Sequence, residues 1–213
     1  MSIETVIRSA RGDAPADLLL DNARIINVFS GEIHRGAVAI RDGVIIGLTP
    51  HAARETIDLQ GHFVSPGFID AHVHIESSMA TVSEFTRTVL ACGTTTVVAD
   101  PHEIANVLGA DGIAYMLASS RGQPLNVYFT LSSCVPASAM ETSGAVLGPA
   151  DLQPFIGHDR VVALAEMMNF SGVIQAEPAI LEKIRIAKDA AKPVDGHAPG
   201  LSGKALNAYV AAG

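Results

Sequence analysis

Five short stretches of this 213-residue chain concentrate side chains suited to metal or proton chemistry. They are Asp70-Ala71-His72-Val73-His74, Asp100-Pro101-His102-Glu103, Ser132-Ser133-Cys134, Glu166-Met167-Met168-Asn169 and Asp195-Gly196-His197. His72 and His74 are two residues apart. On an extended backbone that spacing projects both imidazoles from one face, within reach of one ion. Neutral imidazole nitrogen is a good ligand for Zn, Fe and Mn. Glu166 stands in the otherwise apolar run Val161 to Met168. A carboxylate buried there is costly unless it pairs with a charge or binds a metal. His197 lies between Gly196 and Pro199-Gly200, in a rigid turn. His72, His74, Glu166 and His197 are therefore the candidate metal ligands. The competing readings are an arginine partner for Glu166 and an ordinary polar-turn role for His197.

His102 and Glu103 are candidates for catalytic acid/base work beside Glu166. An equal alternative is that Glu103 opens a helix over residues 104–108, where an acid suits the positive N-terminal end. Cys134 reads as a small packed residue rather than a nucleophile. Met167 and Met168 read as packing or pocket lining.

The elements that must position these residues follow from hydrophobic pattern. Up to about Leu59 the chain reads as short strands punctuated by Asp21-Asn22, Ser30-Gly31 and Asp42-Gly43, and Asp-Gly between β-branched runs predicts a hairpin. From Phe63 onward, strand-like runs recur at Phe63 to Ile69, Thr94 to Ala99, Val127 to Leu131, Val161 to Ala165 and Pro193 to Asp195. They start about 30 residues apart with helix-like stretches between, including Ser83 to Leu90 and Pro178 to Ala191. That alternation predicts βα units and a parallel sheet. Each chemistry-bearing stretch falls at the carboxyl end of a predicted strand, where α/β folds place their ligand sites. Spacing alone leaves an open sheet and a closed barrel both possible, although no GxGxxG follows the first strand. A longer connection is expected from Pro136 to Pro154, with Glu141-Thr142-Ser143-Gly144 inside it.

Composition sets the outer bounds. Hydrophobic residues make up 48% and charged residues 17%, enough to build a core. The net charge of −8 and the absence of a basic stripe argue against a nucleic-acid partner. No apolar run is long enough to span a membrane, and residues 1–17 do not read as a secretory signal. Cys92 and Cys134 form no CxxC, which suits a reduced cytoplasmic setting.

Pro66-Gly67-Phe68-Ile69-Asp70-Ala71-His72-Val73-His74 resembles the first-strand signature of the metal-dependent amidohydrolase superfamily. Asp70 to Met79, Gly93 to Val107, Ser133 to Pro136, Glu141 to Gly144, Glu166 to Phe170 and Asp195 to Lys204, in that order, are similar to the bacterial adenine deaminase family. The likeness runs from about residue 20 to the end. It implies an α/β fold: a partial (β/α)8 barrel of five βα units over residues 63–213, preceded by part of a small β-sandwich over residues 1–62. It also implies a Mn2+ or Fe2+ centre, binuclear, and hydrolysis of the small molecule adenine to hypoxanthine and ammonia. In that comparison His72 and His74 match ligands of one metal, Glu166 the carboxylate that ligates or bridges, and His197 the fifth-strand ligand. A sixth-strand histidine and an eighth-strand aspartate would lie beyond Gly213, so the chain is expected to be a fragment without activity of its own. Related enzymes are usually homo-oligomers. Other readings are a cyclic-amide hydrolase, which often carries a lysine at the position of Glu166, and a non-catalytic metal-binding remnant.

Overall fold

The computed structural model describes residues 2–138 and 140–213. They form two compact units, Met1–Pro66 and Gly67–Gly213. In the first, helix α1 (Ile3–Ala10) precedes strands β1 (Ala16–Asn27), β2 (Glu32–Arg41), β3 (Val44–Gly47), β4 (Ala53–Asp58) and β5 (Phe63–Val64). They make one mixed sheet in the order β3-β2-β1-β4, with β5 also paired to β1. The two apolar runs around Asp21-Asn22 are a single strand. The break between them is a register shift between Leu20 and Ala23, with Asn22 at φ 52°. The Asp42-Gly43 turn joins β2 to β3, and both residues have positive φ (50° and 77°), as the tight hairpin requires.

The second unit alternates strand and helix. Its strands are β6 (Phe68–Val73), β7 (Thr94–Ala99), β8 (Asn126–Leu131), β9 (Val161–Met167) and β10 (Val194–Gly196). The helices are α2 (Val82–Ala91), α3 (His102–Leu108), α4 (Ala110–Ser119), α5 (Pro149–Ile156), α6 (Phe170–Ile174), α7 (Pro178–Asp189) and α8 (Gly203–Ala211). A 3-10 turn, Glu76–Ser78, follows β6. All strand pairs are parallel and adjacent in chain order, β6 to β10. A doubly wound sheet reverses its strand order at a switch point; this one does not, and it curls as half of a barrel.

The run from Phe63 to Ile69 is divided rather than continuous. Phe63–Val64 pairs with β1 in the first unit, whereas Phe68 begins β6 in the second. Gly67 sits between them at a close approach: a Cβ there would overlap the side chain of Thr95. The long connection after β8 is shorter than expected, because Pro149 starts α5 and Pro154 lies inside that helix. Ala139, in the same connection, lies outside the described residues. Among the described residues no helix is long and apolar enough to cross a membrane.

The core of the second unit lies between sheet and helices. Val97, Val127, Phe129, Leu131 and Leu164 of the strands meet Ile113, Met116, Leu152, Ile156 and Ile184 of the helices, all buried. One charged group joins this layer. Lys183 of α7 is buried, and its Nζ donates to the carbonyl of Ser133 at 2.7 Å. Burial pushes its ammonium below the ordinary value of 10.5, while the neighbouring Cys134 and Asp151 oppose the shift.

Two outcomes are expected. Leu152→Ala, at a site with 0% exposure, lowers stability by about 2–5 kcal/mol in equilibrium denaturation of the full-length protein. Lys183 binds its proton more weakly in the fold than in the unfolded chain, so rising pH favours the fold between the lowered pKa and 10.5, and nothing changes below that window. The stability of wild type relative to Lys183→Met therefore rises with pH on the approach to the ordinary value of 10.5, by at most about 1.4 kcal/mol per pH unit. A pH-independent difference in denaturation midpoints would contradict the assignment.

Candidate metal centre

Glu166 is on β9, and its carboxylate is at the middle of the cluster. The side chain is 9% exposed. Its Oε1 is 3.4 Å from Nε2 of His74 and 3.7 Å from Nε2 of His72, and its Oε2 is 2.9 Å from Nδ1 of His197. All four candidate ligands are thus brought together. Strand β6 carries His72, His74 follows its last residue, and His197 follows the last residue of β10. Among the described residues no lysine or arginine pairs with Glu166; its charged-group contacts are the three imidazoles.

The second nitrogens of the paired histidines are turned outward. Nδ1 of His74 lies 2.9 Å from the carbonyl of Asp100, and Nδ1 of His72 lies 3.5 Å from Oδ2 of Asp195. A ring that donates Nδ1–H to such an acceptor keeps its lone pair on Nε2. The two Nε2 atoms are 3.3 Å apart. In that tautomer, which the Asp100 carbonyl sets for His74, its Nε2 lone pair faces Nε2 of His72 and a carboxylate oxygen of Glu166. Imidazole plus carboxylate is a donor set that suits a divalent first-row metal ion. The residues present fit such an ion.

Backbone supports hold Glu166 and His197 in place. The hydroxyl of Ser133 donates to the Glu166 carbonyl at 2.6 Å, and Lys183 holds the Ser133 carbonyl from the other side. The β9–β10 ladder is irregular between Val194 and Gly196. There Tyr209 of α8 bridges the gap: its hydroxyl donates to the Met167 carbonyl at 2.8 Å and accepts from the His197 backbone N–H at 2.9 Å.

His102 and Glu103 lie on the Nδ1 side of His74. Glu103 Oε2 is 3.4 Å from that nitrogen, and Glu103 Oε1 accepts from the Ser77 hydroxyl at 2.7 Å. Both residues also belong to α3, which starts at His102 rather than at Ile104. Ligand atoms of His74, Asp100, His102 and Glu166 all lie within 4.8 Å of one another. Neighbouring Asp100 holds the His102 imidazole above its ordinary pKa, against the opposing effect of burial. Burial likewise raises the Glu76 carboxyl. Cys134 is buried and packed, accepting from the Asn169 N–H at 3.4 Å, and Asn169 caps α6 through Gly172 N at 2.9 Å. Asp100, Asp195 and Ser133 fall in the marked stretches without a role of their own there, and Tyr209 is not marked at all. The first three do stand at strand ends beside singled-out residues, but nothing marks Tyr209, because helix α8 carries it in from 12 residues beyond His197.

A parallel half-barrel with His-x-His on its first strand, a glutamate on its fourth and a histidine after its fifth is the architecture of a metal-dependent hydrolase. The chain belongs to the amidohydrolase family, whose model matches residues 63–213. It is 54% identical over 210 residues to the adenine deaminase of Desulfatibacillum aliphaticivorans, covering 99% of this chain and 37% of that protein. It is 50% identical over 212 residues to the adenine deaminase of Methanothrix thermoacetophila, covering 100% of this chain and again 37% of the relative. The chain thus spans little more than a third of the length of these relatives. The fold is similar to that of N-acyl-D-glutamate deacylase from Bordetella bronchiseptica, solved with zinc and a phosphonate inhibitor, with a TM-score of 0.63, 18% identity, and coverage of 94% of this chain and 49% of that one.

Tyr209→Phe keeps the ring and removes both bridging bonds. The expected result in full-length protein is a Mn2+ affinity lower by about tenfold or more, with a stability loss of about 1 kcal/mol. A Mn2+ titration beside a thermal melt checks both; unchanged affinity would leave the hydroxyl a purely structural link.

Proposed function

We propose that this chain is part of an enzyme that hydrolyses adenine to hypoxanthine and ammonia at a Mn2+ or Fe2+ centre of two ions. The observation that carries the reading is the identity of about half of all positions, along the whole chain, with proteins named adenine deaminase. The convergence of His72, His74 and His197 on Glu166 supports it.

In this reading His72, His74, Glu166 and His197 hold metal. A divalent ion bound there supplies Lewis acidity and lowers the pKa of water toward neutrality. Water adds at C6 of the purine, the amino nitrogen gains a proton, and the C6–N bond breaks to release ammonia. Moving that proton requires positioned ionisable groups. Glu166 contributes directly, as the carboxylate on which the imidazoles converge. Glu103 and His102 contribute at one remove: Glu103 faces Nδ1 of His74, so it restrains that ring and its basicity. Asp195 does the same for His72. Two cysteines without a disulfide suit a cytoplasmic setting, and we propose a homo-oligomer acting on a small molecule rather than on nucleic acid.

The test uses the full-length protein reloaded with Mn2+ and a panel of adenine, other aminopurines and cyclic amides, with ammonia release as the readout. Adenine turnover is expected, reduced by about a hundredfold or more in Glu166→Gln. Turnover of a cyclic amide without adenine would overturn the assignment. Glu103→Ala and His102→Ala are expected to lower turnover, and unchanged turnover and affinity would remove both residues from the reaction.

A further inference from the structure

Helix α3 carries His102 and Glu103 beside His74, yet little apolar burial holds it there. Of its seven residues only Ala105 is buried, and Val107 and Leu108 are 64% and 52% exposed. A helix this short does not persist without outside contacts. Its position therefore rests heavily on hydrogen bonds at its two ends. At the far end the backbone N–H groups of Gly144 and Ala145 donate to the Asn106 carbonyl at 2.8 and 3.2 Å. That is where the Glu141-Thr142-Ser143-Gly144 stretch meets the helix.

The near end has no cap of its own. Pro101 stands just before the first helical residue, and its side chain has no polar atom to accept a first-turn N–H. Glu76 supplies the acceptor from outside the helix: its Oε1 takes the Ile104 N–H at 3.2 Å. Ser77 makes a second tie, donating its hydroxyl to Glu103 Oε1 at 2.7 Å. Both residues belong to the 3-10 turn that follows His74 and Ile75. That turn is itself fixed, because Ile75 is buried in the core and the Ser78 hydroxyl donates to the Ile75 carbonyl at 2.6 Å. One turn thus holds His74 on one side and the start of α3 on the other. The outcome is the 3.4 Å approach of Glu103 Oε2 to Nδ1 of His74.

We propose that Glu76 is a positioning residue: it caps α3 from the turn after β6 and so keeps Glu103 against the His74 ring. The inference deepens the preceding reading and rests on it only for the reaction that this ring serves. The acceptor oxygen does the holding, not the charge. A glutamine carries the same carbonyl oxygen at that position. Its neutral amide gives up no favourable charge contact, since the neighbouring charges of Glu103 and Asp100 have the same sign as that of Glu76.

The experiment compares full-length wild type, Glu76→Ala and Glu76→Gln, each loaded with Mn2+. It reads bound Mn2+ per chain, kcat and KM for ammonia release from adenine, and hydrogen–deuterium exchange of the His102–Leu108 backbone by mass spectrometry. In Glu76→Ala the α3 amides are expected to exchange about tenfold faster and kcat to fall about tenfold, with KM and Mn2+ content within about twofold of wild type. Glu76→Gln is expected to restore both the slow exchange and kcat. Unchanged exchange in Glu76→Ala would overturn the cap. Faster exchange at an unchanged kcat refutes the positioning role and leaves an ordinary helix cap. A Glu76→Gln as impaired as Glu76→Ala also refutes it, because the charge would then be the working part. If wild type releases no ammonia from adenine, the reading of the reaction fails, and the exchange rates by themselves decide the cap. Glu76→Asp, whose carboxylate is one methylene short of Ile104, replaces Glu76→Ala if that variant does not fold, with the same outcomes expected.

Discussion

The carboxylate of Glu166 is nearly buried on the fourth strand of a parallel sheet, with imidazoles as its charged-group contacts. That constraint organises the second unit. A carboxylate in this position is tolerable only where positive charge or strong donors are brought to it. They come from strands on both sides: β6, three strands away, supplies His72 and His74, and β10, the next strand, supplies His197. A flat sheet would keep the first pair at a distance of several strand spacings. The curl of the sheet brings them within 4 Å.

The supports around this centre show how fold stability and site geometry share the same bonds. The Ser133 loop is tied to the Glu166 backbone by one hydroxyl and to helix α7 by Lys183. Lys183 is a buried ammonium with little compensation, and it spends its proton on a single carbonyl at the end of β8. Tyr209 closes the irregular ladder between β9 and β10 and so fixes where His197 begins its turn. On the other side, the Asp100 carbonyl accepts from the His74 ring, and the carboxylate of Asp195 lies 3.5 Å from the His72 ring. The three candidate histidines are partly open to solvent, whereas Glu166, Ser133 and Lys183 are buried.

Much of the second unit is legible in the chain. Period and spacing locate β7 at Thr94–Ala99 and place β8, β9 and β10 to within two residues, because continuous β-branched runs bounded by Gly, Pro and polar residues have few other structures available. The Asp-Gly hairpin between β2 and β3 follows from local backbone preference alone. Where reading by runs fails, a tertiary contact decides. Phe63–Val64 and Phe68–Val73 look like one strand, but they pair with different sheets and Gly67 divides them. Asp21-Asn22 looks like a break, but pairing with β2 carries β1 through it as a bulge.

The sequence by itself determined which residues could carry the chemistry: the His-x-His spacing, a lone glutamate in an apolar run, a histidine in a glycine-proline turn, and a strand–helix rhythm that puts them all at one end of a sheet. These are local properties, set by side-chain type and backbone period. Only the tertiary structure decided that the sheet keeps its strands in chain order and curls, that Glu166 is the shared neighbour of three histidines, and that Asp100, Asp195, Ser133 and Tyr209 stand behind them. Those relations join residues from 12 positions apart, His197 and Tyr209, to 123 apart, His72 and Asp195, and no local pattern specifies a contact that loop closure and packing must bring about.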